Sequence, residues 1–168
     1  LGGVNPGPNL DPVVLGIFAN FEILLAATYA GVGERAIEVA VEHVKKRRSV
    51  MNQTTYSNDP AIRWRLAEAA LLMNAVGPQI REMAALVESD AEPNLGWLPR
   101  LSAVKNAASE ASLRVVEQCV RACGGSSYYD KNELSRLYRD VLAGLFQPSD
   151  QESLHGAWAN MVLGPVAD

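Results

Sequence analysis

The chain has 168 residues, a formal net charge of -4, and 48 % hydrophobic against 20 % charged residues, the balance of one globular domain able to bury a core without disulfide or metal staples. The acidic balance disfavours a nucleic-acid partner, which calls for a basic surplus. Two cysteines, Cys119 and Cys123, form neither a Cys-x-x-Cys pair nor part of a metal-ligand cluster, and read as buried thiols of a reducing, cytoplasmic compartment.

Residues 1–11, opening Leu1-Gly2-Gly3 and running through Pro6-Gly7-Pro8, read as a linker from missing upstream domains, with one helical domain over 12–168. No signal peptide is visible. The longest apolar stretch, Ile23 to Val32 between Glu22 and Glu34, is too short to span a bilayer, so no membrane segment is expected.

Asp11-Pro12 is a helix start, a capping acid followed by proline at the first helical position. Nothing forces a stop before about Val50. Gly31 and Gly33 either weaken this helix or admit a close neighbour. Met51 to Asn58 reads as a loop, and Asn58-Asp59-Pro60 repeats the start signal. Ile62, Leu66, Ala69, Met73, Val76, Ile80, Met83 and Val87 then alternate steps of four and three, which lays one apolar stripe along a helix face. Pro78 inside that helix predicts a kink. Asp90 to Gly96 reads as a turn.

A third helix starts near Leu98-Pro99, with the stripe Leu101, Val104, Ala108, Ala111, Val115, Cys119 and Ala122. Gly124-Gly125 stops it. A loop with Tyr128 and Tyr129 leads to a shorter helix over about Glu133 to Leu145. Ser149 and Glu152 have capping-box spacing, which predicts a last helix to about Leu163, ended by Gly164-Pro165. Three long and two short helices without a strand signal predict an all-α, antiparallel up-and-down bundle.

Local words narrow the reading. Ala26 to Ala36 followed by Lys45-Lys46-Arg47-Arg48, then Leu66-Ala67-Glu68, Ala103 to Ala111, Cys123-Gly124-Gly125 and Arg136-Leu137-Tyr138-Arg139-Asp140 resemble, in order and spacing, the C-terminal domain of the acyl-CoA dehydrogenases. The resemblance implies FAD in a longer chain, an acyl-CoA or other small organic substrate, and self-association as a dimer or tetramer.

Site residues follow from the same resemblance. It implies that Arg47 (or Arg48, one residue away) holds the FAD pyrophosphate, a role that suits a guanidinium fork. The four basic residues Lys45 to Arg48 equally read as a solvated helix end favoured by the helix dipole. Gly124 and Gly125 would let backbone N–H groups approach the cofactor, and equally would simply stop a helix. Arg121 stands where the family often has a glutamine touching the nucleotide, and equally reads as an exposed helix charge.

The family's catalytic glutamate, which takes the α-proton of the thioester while the flavin takes the β-hydride, falls on Pro148. Neither Pro148 nor the neighbouring amide of Gln147 can take a proton. Relatives with the base on the first long helix place it at Phe21, one residue before Glu22, which makes Glu22 the candidate base. Asp150 is the other nearby carboxylate and reads first as a helix-start acid. The departure at Pro148 keeps two alternatives open: a flavin-dependent monooxygenase of the same fold, and a cofactor-free interaction bundle. Glu152-x-x-His155 has the spacing of a di-iron ligand pair but lacks a second pair, His43 having no glutamate three residues before it, so no metal is expected. Trp64, Trp97, Trp158 and the two tyrosines read as core or interface.

Overall fold

The computed structural model describes residues 11–89 and 96–166. The linker over 1–10 and most of the turn over 90–96 lie outside the described residues. Five helices follow in order: α1 Pro12–Lys46, α2 Pro60–Glu88, α3 Trp97–Cys123, α4 Glu133–Leu142 and α5 Gln151–Leu163, with short 3₁₀ turns at Tyr56–Asn58, Gly124–Tyr128 and Ala143–Leu145. Among the described residues there is one isolated β-bridge, Arg48 to Thr55, and no strand.

The helix starts obey local chemistry. Asp11 accepts from the backbone N–H groups of Val13 and Val14, and Asp59 does the same for Ala61 and Ile62, each with a proline at the first helical position. α1 stops four residues before the expected Val50. Backbone bonds close a small loop there, from Ser49 N–H to the Thr54 carbonyl at 2.8 Å and from Tyr56 N–H to the Arg47 carbonyl at 2.9 Å. Those bonds offer the chain an alternative to another helical turn. α2 runs unbroken through Pro78, whose missing N–H frees a carbonyl at exposed Asn74, where water can pair it.

Inter-helix contacts set the topology. Arg65 near the start of α2 reaches Gln118 near the end of α3, and Arg100 at the start of α3 reaches Glu82 near the end of α2. These two helices are therefore antiparallel. Arg47 at the end of α1 meets Cys123 at the end of α3, so α1 and α3 run parallel, with α2 antiparallel to both and packed against both. α3 is the central helix, packed against every other one. It buries the expected stripe, except half-buried Ala111, together with Ser102, Lys105, Asn106, Ser109 and Ser112. On α2 the stripe at Ala69, Met73, Val76 and Met83 is buried as the periodicity predicts.

Gly33 answers the question raised by the glycines of α1. A Cβ there would stand 2.7 Å from Met73 Sδ and 3.0 Å from Ser112 Oγ, whereas one at Gly31 meets nothing within 4 Å. Gly33 is the point where α1, α2 and α3 converge. By length and composition alone α1 is also apolar enough to cross a membrane, with a mean hydropathy of 1.8 over its best stretch, which the short count from Ile23 to Val32 missed. Its packing along α3 and its fully buried Glu22 tie it to the bundle on one face, with 33 % of that stretch buried.

Candidate functional site

At one end of the bundle the C-terminus of α1 meets the turn after α3. Arg47 Nη1 donates to the Cys123 carbonyl at 3.3 Å and to Ser126 Oγ at 3.2 Å. The Arg47 guanidinium carbon lies 4.9 Å from the centroid of the Tyr56 ring, in cation–π range. Arg48 turns away and donates to the Gln53 carbonyl at 2.7 Å. Of the two candidate arginines, only Arg47 is carried to the glycine turn. Its Nε and Nη2 have no hydrogen-bond partner among the described residues, so part of the fork is available to an anion.

Gly124 closes α3 with φ 70, a conformation that costs a side chain strain. A Cβ on Gly124 or Gly125 would meet nothing within 4 Å. The pair therefore answers to backbone conformation and an open surface rather than to a neighbour inside the bundle. Ser127 Oγ donates to the Gly124 carbonyl at 2.6 Å, and Asn132 Nδ2 to the Ser126 carbonyl at 2.9 Å, which fixes the turn. The turn lines a cleft of about 690 Å³ with exposed Tyr128, Tyr129 and Tyr138. His43 Nε2 sits 3.3 Å from Ser126 Oγ. Burial, and then the neighbouring Arg47 charge, lower its pKa from 6.5. Arg121 does not join this group. It pairs with Glu117, one turn earlier on the exposed side of α3.

The second constellation gathers around the turn after α4. Glu22 of α1 is fully buried. Its Oε1 accepts from Ser149 N–H at 3.0 Å and from Ser149 Oγ at 3.1 Å, while Oε2 has no partner among the described residues. Burial raises the Glu22 pKa, and the Ser149 bonds and the Lys105 charge only partly offset this. Lys105 is equally buried and donates to the carbonyls of Gly144 at 2.8 Å, Gln147 at 2.7 Å and Ser149 at 3.1 Å. Burial lowers its pKa against the opposing pull of Glu22 and Asp150. Asn106 Nδ2 adds a bond to the Ser149 carbonyl at 2.7 Å, and Ser102 Oγ one to Ser149 Oγ at 2.9 Å. Tyr29 Oη donates to Gln147 Oε1 at 2.6 Å.

Phe21, beside Glu22, is exposed, as is Pro148. Ser149 does not cap α5 as its spacing with Glu152 suggests. Asp150 is the cap and accepts from Ser153 N–H at 2.9 Å, because Ser149 is already committed to Glu22. The Ser153 bonds hold the Asp150 carboxyl below its usual range. His155 Nδ1 lies 2.7 Å from the Gln151 carbonyl of its own helix, and His43 is at the other end of the bundle. Trp97 is buried, Trp64 is exposed, and Trp158 donates to the Pro99 carbonyl.

Sequence reading missed Lys105, Tyr29, Asn106 and Ser102. The available signal was a lysine in the apolar spacing of α3, one residue after Val104 and four after Leu101.

The fold and its two ends define an all-α bundle domain, with an arginine at a glycine turn and a buried acid–lysine pair under a second turn. The signature described as "Acyl-CoA dehydrogenase, C-terminal domain" matches residues 23–146. The chain is 30 % identical over 125 residues to "Putative acyl-CoA dehydrogenase YdbM" of Bacillus subtilis (strain 168), covering 74 % of this chain and 32 % of that protein. The fold matches the glutaryl-coenzyme A dehydrogenase glutaryl-CoA complex with a TM-score of 0.80 at 17 % identity, over 92 % of this chain and 38 % of that one. It matches the flavoprotein nitroalkane oxidase with a TM-score of 0.79 at 15 % identity, over 88 % and 34 %. The chain thus spans about a third of the length of these relatives. It belongs to the acyl-CoA dehydrogenase superfamily, as the C-terminal helical domain.

Proposed function

We propose that this chain is the C-terminal domain of a longer, cytoplasmic, FAD-dependent oxidoreductase of the acyl-CoA dehydrogenase type, contributing to FAD binding and to assembly as a dimer or tetramer. One observation carries the reading: Arg47 and the Gly124-Gly125 turn, 77 and 78 residues apart in sequence by subtraction, meet at one end of the bundle. The donor set fits a diphosphate. Arg47 keeps unused N–H groups, the two glycines leave the surface open, and Tyr56 steadies the guanidinium from the side. Arg121, paired with Glu117 nearby, would need to leave that pair to join. FAD, when bound, supplies the electron acceptor of the reaction.

The exposed apolar residues Val13, Ile17 and Leu24 of α1 give an oligomer or a neighbouring domain a face to cover. Two buried free thiols suit a reducing compartment. The substrate in this reading is an acyl-CoA or another small organic molecule.

The turn after α4 favours a second reading, a flavin-dependent monooxygenase of the same fold. Pro148 offers no base, Asp150 is spent on its helix cap, and Glu22 is sealed in the core. As a base, Glu22 would have to open its Ser149 bonds and reach solvent. A reaction in which reduced flavin activates oxygen makes no such demand on this turn.

The test is the flavin content of the full-length protein, released by denaturation and identified by absorbance and fluorescence. About one FAD per subunit supports the reading. A folded full-length protein without FAD overturns it and leaves the cofactor-free interaction bundle. With FAD present, an acyl-CoA that bleaches the flavin anaerobically favours dehydrogenation. Oxygen consumption that requires an external reductant favours the second reading.

A further inference from the structure

We propose that Tyr29, Glu22 and Lys105 are positioning residues for the turn from Gly144 to Ser149, and that the group they present is the side-chain amide of Gln147, a hydrogen-bond donor for the carbonyl oxygen of an acyl thioester. This inference rests on the reading that the chain serves an acyl-CoA enzyme.

Donor arithmetic defines the role of Lys105. An ammonium group has three N–H donors, and the three carbonyls of Gly144, Gln147 and Ser149 take all of them. Lys105 has nothing left for a ligand and acts only through the turn. Glu22 holds the same segment from the other side, through the N–H and hydroxyl of Ser149. A buried carboxyl and a buried lysine, each held by the same turn, are a costly device where apolar packing would serve stability as well. Its return here is one backbone path for a segment with no regular secondary structure after Leu145. Gly144 lets that path lie close to the core, since a Cβ would meet Ser109 Oγ at 2.9 Å and Tyr29 Cε1 at 3.1 Å.

The side chain delivered is Gln147. The Tyr29 hydroxyl donates to its Oε1 at 2.6 Å, which orients the amide with its oxygen toward the core. The opposite atom, Nε2, has two N–H donors and no partner among the described residues. Its neighbours Phe146 and Pro148 are exposed and apolar. An uncharged donor pair in an apolar rim suits a neutral carbonyl oxygen; a phosphate or carboxylate would be matched by a cation.

The experiment uses the FAD-loaded full-length protein. Affinities for crotonyl-CoA, which has no saturated α,β bond to oxidise, and for free coenzyme A are measured calorimetrically, and their ratio isolates the acyl part. Tyr29→Phe and Gln147→Leu are each expected to lower that ratio about fivefold, the worth of one hydrogen bond, with FAD content unchanged. The double variant should fall no further than Gln147→Leu alone, because Tyr29 acts through Gln147. A merely structural role would weaken both ligands together, or add in the double variant. Lys105→Met, if it folds, should lower the ratio as well; Tyr29→Phe keeps the question answerable if it does not. An unchanged ratio in the FAD-loaded Tyr29→Phe and Gln147→Leu proteins, or additive losses, overturns the positioning claim and leaves the cofactor reading intact. A wild-type protein that binds neither FAD nor the thioester overturns both.

Discussion

Replacing Gly144 by alanine would put a methyl group 2.9 Å from Ser109 Oγ, 3.0 Å from Ser109 Cβ and 3.1 Å from Tyr29 Cε1. Ser109 is buried on the central helix and its hydroxyl bonds the Lys105 carbonyl at 3.0 Å. Tyr29 is buried on α1. Neither offers a flexible end that can swing aside, so the end of α4 must move. Overpacking of this kind costs about 1–3 kcal/mol. The displacement also lengthens the 2.8 Å bond from Lys105 to the Gly144 carbonyl, and a buried donor left unpaired adds about 1–3 kcal/mol. A total of about 2–6 kcal/mol corresponds to roughly 4–24 °C in the melting temperature of a domain of this size. The assay is thermal denaturation followed by circular dichroism, with Gly31→Ala as the matched control. At Gly31 the added methyl meets nothing within 4 Å on an exposed helical position, so the same chemical change should stabilise by about 0.5–1 kcal/mol. A Gly144→Ala protein that melts with the wild type, or a Gly31→Ala protein that falls as far, would refute the packing described for this turn.

Three further outcomes are expected. Burial pushes the thiol of Cys119 up to about 12 and that of Cys123 to about 11, so both should resist alkylation at pH 8 in the native protein and react promptly in denaturant; rapid native modification would contradict their burial. Asp59→Ala removes the cap that accepts from Ala61 and Ile62 and should cost about 1 kcal/mol by chemical denaturation. The folded pKa of His43 lies below the unfolded 6.5, so the unfolded chain binds more protons there. His43 stability is then full above pH 6.5 and is lost as pH falls below it through the folded pKa. His43→Gln should flatten that part of the stability profile, and an unaltered slope would show that another group is responsible.

Periodicity made α2 legible, since its stripe from Ile62 to Val87 faces a single neighbouring helix layer, and Asp-Pro pairs marked the starts of α1 and α2. The end of α1 was not legible. It depends on backbone bonds of the 47–56 loop, which leave no trace in apolar spacing. α3 concealed more, because a central helix buries more than its apolar stripe, Ser102, Lys105, Asn106, Ser109 and Ser112 included, and apolar periodicity does not mark those positions. Lys105 looks like a surface charge in sequence, and the carbonyls that take it inside come from 39 to 44 residues downstream. Ser149 misled in the opposite direction: its capping-box spacing is real, but Glu22, 127 residues upstream, claims its hydroxyl and N–H. Arg47 and the glycine turn were both singled out from sequence, yet which of two adjacent arginines reaches the turn depends on where α1 ends, a matter of one residue.

The most direct test of the proposed cofactor role compares flavin retention in the full-length protein and in its Arg47→Ala and Arg48→Ala variants, each purified folded and assayed for FAD released on denaturation. Arg47 at the glycine turn predicts about one FAD per subunit in the wild type and in Arg48→Ala, and loss of most of it in Arg47→Ala. Full flavin retention in a folded Arg47→Ala protein would contradict that role.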